Sequence, residues 1–359
     1  MKDILENIGD GSALETVPVL KALGRANRAL GEVKGAALSL PNQTILIDTI
    51  ALQEALASSE IENIVTTQDE VFQVALEMQS KQSPEAKEVA RYRTALKIGW
   101  DGMRAQQNII SCNHLIAMCQ HLKQHETGFR TTPGTILRNQ ATGQTVYEPP
   151  QEPEVIIRLM ADLETFINQD DLCQLDPLIK MALIHHQFES IHPFPDGNGR
   201  IGRILNVLYL TRTGLLDQPI LYLSRAINRT RPDYYRLLQA VREEAAWEEW
   251  VVYMLDCIST SAQSVLTLIE GIRTLMAETK QEMRSTLPRL YSQDVINHLF
   301  RNPYTRVSFV QNDLKVSRLT ARSYLKKLAA AGFVSERRSG RDNYYVNDRL
   351  IGLLVETSG

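Results

Sequence analysis

The chain has 359 residues, of which 43% are hydrophobic and 23% charged, with a formal net charge of −3 at pH 7. A typical domain has about 150 residues, so this length predicts about two to three domains with a sizeable core, and the composition excludes a disordered or collagen-like chain. No run approaches the roughly 18 apolar residues of a membrane span, and residues 1–10 include acids but no apolar segment, so we expect a cytoplasmic protein without a secretory signal.

Charge is distributed unevenly along the chain. Residues 284–359 carry 13 Lys and Arg against 6 Asp and Glu, a net charge of +7, so residues 1–283 carry −10. A basic segment of this kind is a candidate nucleic-acid surface, although most charged segments are only solvated surfaces.

Apolar residues recur at helical spacing through most of the chain, which predicts a mainly α fold. The predicted helices span residues 47–57, 84–125, 152–167, 177–188, 200–209, 232–241 and 244–283. Two short β-hairpins are predicted within 134–147 and 332–346, with Gly143 and Gly340 at their turns.

At the end of the first predicted helix lie Ser58 to Asn63. Ser59 and Glu62 fit a capping box, in which the Glu62 side chain returns to the Ser59 backbone N–H. Taken alone, this segment predicts a helix cap.

The cysteines predict reduced thiols. Cys112, Cys119, Cys173 and Cys257 form no CxxC pair and are too few for a disulfide framework. A metal site formed by Cys119, His121 and His125 is an alternative, but the acidic residue of an HExxH site is absent, which favours ordinary polar positions on a helix.

The densest motif lies between two predicted helices, where residues 192–203 read HPFPDGNGRIGR. The prolines and Gly-Asn-Gly forbid a continuous helix, and Gly197 and Gly199 can take positive φ, so that successive N–H groups converge on an anion. The next helix is expected to begin near Arg200, and its free N–H groups add to the same site.

Four side chains of this loop predict phosphoryl or nucleotidyl transfer. Arg200 and Arg203 lie three residues apart and can both reach a bound anion. Asp196 is a hard carboxylate that suits Mg2+, and a neutral His192 can accept a proton from an attacking hydroxyl. The alternative is a plain helix–loop–helix with a buried histidine and surface arginines, which so many such residues within twelve positions disfavour.

The basic tail predicts three helices and a hairpin. Two helices lie near 292–300 and 307–314, and a third runs from Ser317, a good N-cap, to Gly332, a good C′ residue. Ala321, Tyr324, Leu325 and Leu328 form its apolar face.

On another face of that third helix, Arg318, Arg322 and Lys326 recur every four residues. Such a stripe fits a DNA major groove, with arginines of the hairpin, Arg337, Arg338 and Arg341, on phosphates. A protein-interaction or dimerisation module explains the same pattern equally well.

Residues 192–203 resemble the active-site motif HxFx(D/E)GNGRxxR of the Fic family, and every defined position is filled. The resemblance implies a Fic helical core with a small β-hairpin flap, and transfer of AMP from ATP to a Tyr, Thr or Ser hydroxyl of a target protein or of the enzyme itself. It also implies ATP as substrate and Mg2+ as cofactor. Rival activities are removal of AMP, transfer from another nucleotide donor, and a DNA-binding regulator whose Fic core senses nucleotide.

Carried over residue by residue, the resemblance implies His192 as general base and Asp196 as the Mg2+ ligand. Segment 233–238 resembles the part of Fic proteins that closes the nucleotide pocket, although plain packing is as good an explanation for its tyrosines. The ATP- and phosphate-binding set is then Gly197, Asn198, Gly199, Arg200, Gly202, Arg203 and Tyr235. The hairpin at 134–147 corresponds to the flap, where Thr135 and Ile136 would bind the target by strand addition.

The same resemblance gives the segment at the end of the first helix a second interpretation. Ser58, Glu62 and Asn63 match the family's inhibitory pattern (S/T)xxxE(G/N). Glu62 is then expected to pair with Arg203 and force ATP into an unproductive pose. In a reversed role, Glu62 would orient water for the removal of AMP.

We therefore expect four segments: an N-terminal helical Fic region with the inhibitory helix (1–105), a catalytic core (106–260), a connecting helix (261–287) and a winged helix–turn–helix domain (288–359). Expected partners are a target protein and, through the tail, DNA, without a membrane. Fic proteins often dimerise, so a homodimer is also expected.

Overall fold

A computed structural model describes residues 11–40, 43–75, 83–126, 128–138, 143–301, 303–339 and 342–356. These residues form a mainly helical protein with two small antiparallel sheets, which confirms the predicted fold class. The helices are α1 (Val17–Ala37), α2 (Thr44–Ile61), α3 (Gln68–Ala75), α4 (Pro84–Ala105), α5 (Cys112–Lys123), α6 (Pro153–Asn168), α7 (Pro177–Ile191), α8 (Asn198–Arg212), α9 (Leu223–Arg229), α10 (Arg231–Glu244), α11 (Trp247–Thr286), α12 (Gln293–Arg301), α13 (Val307–Leu314), α14 (Arg318–Ala330) and α15 (Asp348–Glu356).

Both predicted hairpins are present. Strands β1 (Leu137–Arg138) and β2 (Thr145–Tyr147) pair antiparallel with a register shift between the two residues of β1. β1 therefore begins two residues beyond Thr135, and part of the predicted turn, 139–142, lies outside the described residues.

The tail contains a three-stranded sheet of β3 (Tyr304–Thr305), β4 (Ser335–Ser339) and β5 (Asp342–Val346), in the order β3-β5-β4. Its turn, residues 340–341, is outside the described part of the chain, and so is Arg341.

The predicted continuous helix over 84–125 is wrong, because two helices, α4 and α5, occupy this range. Between them Gln107 and Asn108 take positive φ values of 54° and 63°, which end the helix. Ser111 then caps α5: its hydroxyl accepts from the His114 N–H at 3.3 Å, and its own N–H donates to His114 Nδ1 at 3.3 Å.

Helix α1 was not predicted from the sequence. The Thr16 hydroxyl accepts from the Val19 N–H at 3.5 Å, and Pro18 lies in the first turn, so the local start signals are sound. The buried face is built largely from alanines, which give only a weak apolar signal. The other predicted helices are present, with their ends shifted by a few residues.

Helix α11 packs along α1 and α7 and contains 40 residues. By length and composition it could cross a membrane, the one such helix in the part of the chain described here, but over half of its most apolar window is buried, as in a core helix. The predicted connecting segment, 261–287, is the second half of α11, and the domain boundaries themselves stay predictions.

Trp250 anchors α11 to α7. Its ring is fully buried and its Nε1–H donates to the Ala182 carbonyl at 2.8 Å. We expect Trp250→Ala to lower the free energy of unfolding by about 3–5 kcal/mol, since it opens a cavity and removes this donor. Denaturant unfolding measures the change, with Trp100→Ala, at a half-buried tryptophan, as the matched control; equal losses in the two variants would contradict this packing role.

The tail contains the three predicted helices, α12, α13 and α14, followed by the predicted β4–β5 hairpin, and the short strand β3 between α12 and α13 was not predicted. As predicted, Ser317 caps α14 by accepting from the Thr320 N–H at 3.2 Å, and Gly332 follows the helix with a φ of 80°.

This tail lies against the N-terminal helices. Helix α12 packs on α2, and the Phe72 and Tyr304 rings stack with centroids 4.3 Å apart. Arg337, predicted to reach DNA phosphates, instead pairs with Asp348 at 2.7 Å and with Asp69 at 3.5 Å. Local sequence patterns cannot show such carboxylate partners.

Candidate active site

The loop of residues 192–197 joins α7 to α8 through two left-handed residues. His192 ends α7 with a φ of 52°, and its N–H donates to the Phe188 carbonyl at 3.0 Å. Gly197 has a φ of 86° and immediately precedes α8, whose free N–H groups therefore open onto the loop. Positive φ was also predicted at Gly199, which is wrong, because α8 begins at Asn198 and already includes it.

Two residues at the start of α8 shape the loop. The Asn198 side chain closes it, accepting from the Phe194 N–H at 2.8 Å and donating to the Phe194 carbonyl at 2.7 Å. A Cβ at Gly199 would lie 2.3 Å from Glu62 Oε1 and 3.0 Å from Arg203 Nη1. Gly199 is therefore required for the close approach of anionic groups to this turn.

Arg203 is held by the end of α2 and is only 1% exposed. Its Nη2 contacts Glu62 Oε1 at 2.9 Å, so the predicted pair is present. Nε donates to the Ser58 hydroxyl at 2.8 Å, and Nη2 also donates to the Ser58 carbonyl at 2.9 Å. Ser58 and Glu62, four residues apart at the end of α2, thus both bind the same guanidinium.

The capping-box interpretation of Ser59 and Glu62 is wrong. Glu62 directly follows the last residue of α2 and its N–H donates to the Ser59 carbonyl at 3.0 Å, so the segment ends a helix and does not start one. Asn63 comes next with a φ of 60°, a conformation that asparagine and glycine tolerate best.

Asn63 connects this segment to α10. Its Oδ1 accepts from Arg231 Nη1 at 3.1 Å, and the Arg231 guanidinium lies 5.9 Å from the ring centroid of Tyr235. Partial burial and then the Glu62 carboxylate raise the pKa of Tyr235. The adenosine contact of Tyr235 stays a prediction.

Arg200 points to a different carboxylate. Its side chain is 2% exposed, and Nη1 contacts Glu88 Oε1, on α4, at 2.6 Å. Lys123, at the end of α5, bridges Glu88 Oε1 at 2.9 Å and Asp196 Oδ2 at 2.5 Å. Sequence reasoning missed Glu88 and Lys123, because neither lies in a motif.

Asp196 is the loop carboxylate and its side chain is 64% exposed. Burial raises its pKa, but the contacts with Lys123, Arg200 and the Gly197 N–H outweigh burial and leave the pKa below the usual value. An ionised, accessible carboxylate beside an anion site fits one protein ligand for Mg2+.

The alternative metal site is not formed. Within the ranges that the structure describes, no group of three His, Cys, Asp or Glu residues could hold a metal ion. Cys119 is buried, and its thiol donates to the Asp196 carbonyl with Sγ 3.6 Å from the oxygen.

A third residue missed by sequence reasoning, Arg130, fixes the start of the loop. Its side chain is buried, with Nε donating to the His192 carbonyl at 2.7 Å and Nη2 to the carbonyls of Ile191 and Pro150, while its N–H donates to the Pro193 carbonyl. Burial, and then the Arg130 charge, lower the pKa of His192 to about 4. His192 is therefore neutral at pH 7, as predicted for a general base.

Strands β1 and β2 lie beside the end of α7. The Tyr147 hydroxyl donates to the Ser190 carbonyl at 3.0 Å, two residues before His192. The Gln151 side chain accepts from the Gly134 N–H at 2.7 Å and donates to the Thr135 carbonyl at 3.0 Å. Ile136 is exposed next to this anchored strand.

Gly202 faces away from the loop. A Cβ there would lie 2.4 Å from Glu189 Oε1 and 3.0 Å from the Phe188 ring, so the geometry gives Gly202 a role in packing α8 on α7 and not in binding phosphate.

Three family descriptions match this chain. "Fic/DOC family N-terminal" matches residues 20–101, "Fic/DOC family" matches 109–210, and "Protein adenylyltransferase SoFic-like, C-terminal domain" matches 275–350. The middle match contains the loop, and the first contains Ser58, Glu62 and Asn63.

Individual relatives agree. A probable protein adenylyltransferase of Aquifex aeolicus is 26% identical over 202 residues, which are 55% of this chain and 57% of that protein. A protein adenylyltransferase of Caenorhabditis briggsae is 33% identical over 89 residues, 25% of this chain and 16% of that protein. The chain thus spans less than two thirds of the length of these relatives.

Among solved structures, a Fic family protein from Desulfovibrio desulfuricans matches with a TM-score of 0.57 at 21% identity. The match covers 92% of this chain and 96% of that one, so the two share a fold over nearly their whole lengths.

Proposed function

Because the chain belongs to the Fic family, we propose that it is a protein adenylyltransferase that transfers AMP from ATP to a Tyr, Thr or Ser hydroxyl of a target protein or of itself. The observation that carries the proposal is the loop and the start of α8. A neutral His192 begins the loop, an ionised Asp196 lies within it, and the free N–H groups of α8 and the Arg203 side chain follow it. Together these groups supply a base and a polyphosphate site on one short segment.

His192 acts on the acceptor hydroxyl. The imidazole takes the hydroxyl proton as the oxygen bonds to the α-phosphorus of ATP, and the bond from that phosphorus to the bridging oxygen breaks. Pyrophosphate leaves with the electron pair. Arg130 holds the His192 backbone through its carbonyl, which keeps the imidazole at the mouth of the loop.

The start of α8 stabilises the departing pyrophosphate. Its N–H groups and positive dipole end act with the guanidiniums of Arg200 and Arg203 on the charge that develops there. Asp196 would hold Mg2+, which when bound neutralises phosphate charge and orients the leaving group.

We propose that Glu62 is the inhibitor of this reaction. Its carboxylate contacts Arg203 at 2.9 Å and has Oε1 2.3 Å from the position that a Cβ of Gly199 would take, so it competes with phosphate oxygens for the same guanidinium. While Glu62 occupies Arg203, ATP can bind only in a pose in which its phosphates do not contact this guanidinium.

The target is proposed to bind at the flap, defined as β1, β2 and the residues between them. Its first strand follows Thr135 and Ile136, and Tyr147 ties its second strand to the helix that ends at His192. Strand addition on β1 would bring an acceptor hydroxyl toward the imidazole.

The proposed function is tested with ATP labelled at either the α- or the γ-phosphate, supplied with Mg2+ and a cell lysate as target. AMP transfer predicts that the α-label enters protein and the γ-label does not. Incorporation of the γ-label instead would show a kinase reaction and overturn the proposal.

The pH dependence follows from the lowered pKa of His192, about 4. The imidazole stays unprotonated from pH 8 down to pH 6, so we expect the transfer rate to vary little over this range. A histidine with the usual pKa of about 6.5 would lose more than half of the rate by pH 6. Initial rates in mixed buffers at constant ionic strength distinguish the two, and such a loss would contradict a base that is neutral at pH 6.

A second function is proposed for the tail, namely binding to DNA. The observation that favours it is the exposed stripe of Arg318, Arg322 and Lys326 on α14. Arg322→Ala is expected to weaken binding to duplex DNA and to reduce the slope of log affinity against log salt by about 1. Arg289→Ala, at an exposed arginine outside α14, is the matched control. Absence of DNA binding at low salt would contradict this second function and favour a protein-interaction module.

Cytoplasmic location and a homodimer stay predictions. Cell fractionation and the mass measured in solution test them.

A further inference from the structure

We propose that Glu88 is a positioning residue for the phosphate site, which holds the Arg200 guanidinium away from Asp196, shares Lys123 with Asp196, and so keeps that carboxylate available to Mg2+ and the ATP phosphates. The inference rests on the proposed function, since it concerns the same loop. Glu88 lies outside both sequence motifs, residues 58–63 and 192–203.

The contact geometry is a chain of four charges. Glu88 Oε1 accepts from Arg200 Nη1 at 2.6 Å and from Lys123 Nζ at 2.9 Å. Asp196 contacts the same two cations, with Lys123 Nζ at 2.5 Å and Arg200 Nη2 at 3.9 Å. Two carboxylates therefore share two cations at the edge of the loop.

The environment makes Glu88 the stronger partner of Arg200. The Glu88 and Arg200 side chains are both mostly buried, and a short contact in a shielded site is stronger than one in water. Burial raises the pKa of Glu88, but the hydrogen bonds from Arg200 and Lys123 outweigh burial and leave the pKa below its usual value, so Glu88 is ionised at pH 7.

Without the Glu88 charge, Asp196 would become the nearest carboxylate to Arg200 and the sole contacted carboxylate of this pair for Lys123, which already lies 2.5 Å from it. A buried guanidinium left without its counter-ion is costly, so Arg200 would close the 3.9 Å gap to Asp196. Lys123 already lies beside the loop, with Cδ 3.6 Å from where a Cβ of Gly197 would be. Asp196 would then be neutralised by two protein cations instead of Mg2+.

The test measures nucleotide binding, apart from transfer, by calorimetry on the full chain in Mg2+. The parent is the Glu62→Gly variant, so that no sample has the Glu62 carboxylate on Arg203. Glu88→Gln removes the charge with little change of shape. We expect it to lower the affinity for ATP and for ADP roughly 10-fold and to leave the affinity for AMP almost unchanged. The difference arises because AMP has no β-phosphate to share Mg2+ with Asp196.

Two further variants make the result specific. Asp101→Asn removes another carboxylate of α4, which pairs with Lys97 at 2.6 Å on the exposed surface, and should leave all three affinities unchanged. Glu88→Asp restores the charge and should recover at least part of the ATP affinity.

Equal weakening of ATP, ADP and AMP by Glu88→Gln, or no weakening, would overturn this inference. A parent that binds none of the three nucleotides would overturn the proposed function and this inference with it. If Glu88→Gln shows the expected selective loss of ATP and ADP affinity but the parent never transfers label, only the proposed transfer reaction would be overturned.

Discussion

Glu62→Gly is expected to raise the rate of AMP transfer by roughly 10- to 100-fold. The range corresponds to the roughly 1.5–3 kcal/mol of a hydrogen bond to a charged group, here the 2.9 Å contact between Glu62 and Arg203. Arg203 keeps its two contacts with Ser58, so its guanidinium stays at the start of α8 when the carboxylate is removed. A glycine at position 62 costs little, since Glu62 is the C-cap residue of α2 and lies outside the helix interior, where glycine is most destabilising.

The measurement is the initial rate of pyrophosphate release with Mg2+, ATP and lysate protein. Glu60→Gly is the matched control, because it removes an exposed glutamate from the last turn of the same helix. An equal rise in both variants would mean that loosening of α2, and not release of Arg203, activates the enzyme.

His192→Ala in the Glu62→Gly background is expected to reduce the transfer rate by about 10²- to 10⁴-fold, the usual contribution of a general base. ATP affinity should change little, because Arg130 contacts the His192 carbonyl and this bond survives the substitution. The loss therefore falls on the rate at saturating ATP.

Backbone strain must be separated from loss of the base. His192 has a φ of 52°, which alanine adopts less readily than asparagine, so His192→Asn is the second variant and should lose a similar fraction of the rate. His125→Ala, at an exposed histidine, is the control. Near-normal transfer by His192→Asn would remove the imidazole from the mechanism.

The sequence was most informative where the chemistry is local. The twelve residues 192–203 predicted the loop, the neutral base and the two arginines, because the groups that act together are neighbours along the chain. Ser58 and Glu62 are likewise one helical turn apart, and their resemblance to the inhibitory pattern predicted the Glu62–Arg203 contact that the structure contains. The contacts of Ser58 with Arg203 were not predicted.

Contacts between distant segments could not be predicted. Glu88 and Arg200 are 112 residues apart, and Arg130 and His192 are 62 apart, so no periodicity connects them. For the same reason the partners of Arg337 were missed. In the fold, α1 was missed because alanines carry its buried face, and the break after α4 was missed because Gln107 and Asn108 are weaker helix breakers than proline or glycine.

The most direct test of restrained AMP transfer compares three full-length proteins: the native chain, Glu62→Gly, and Glu62→Gly with His192→Ala. Each is incubated with α-labelled ATP, Mg2+ and cell lysate, and label in protein is measured. The account predicts little label with the native chain, strong label with Glu62→Gly, and none above background with the double variant. Absence of label from all three, or equal label with the native chain and Glu62→Gly, would contradict it.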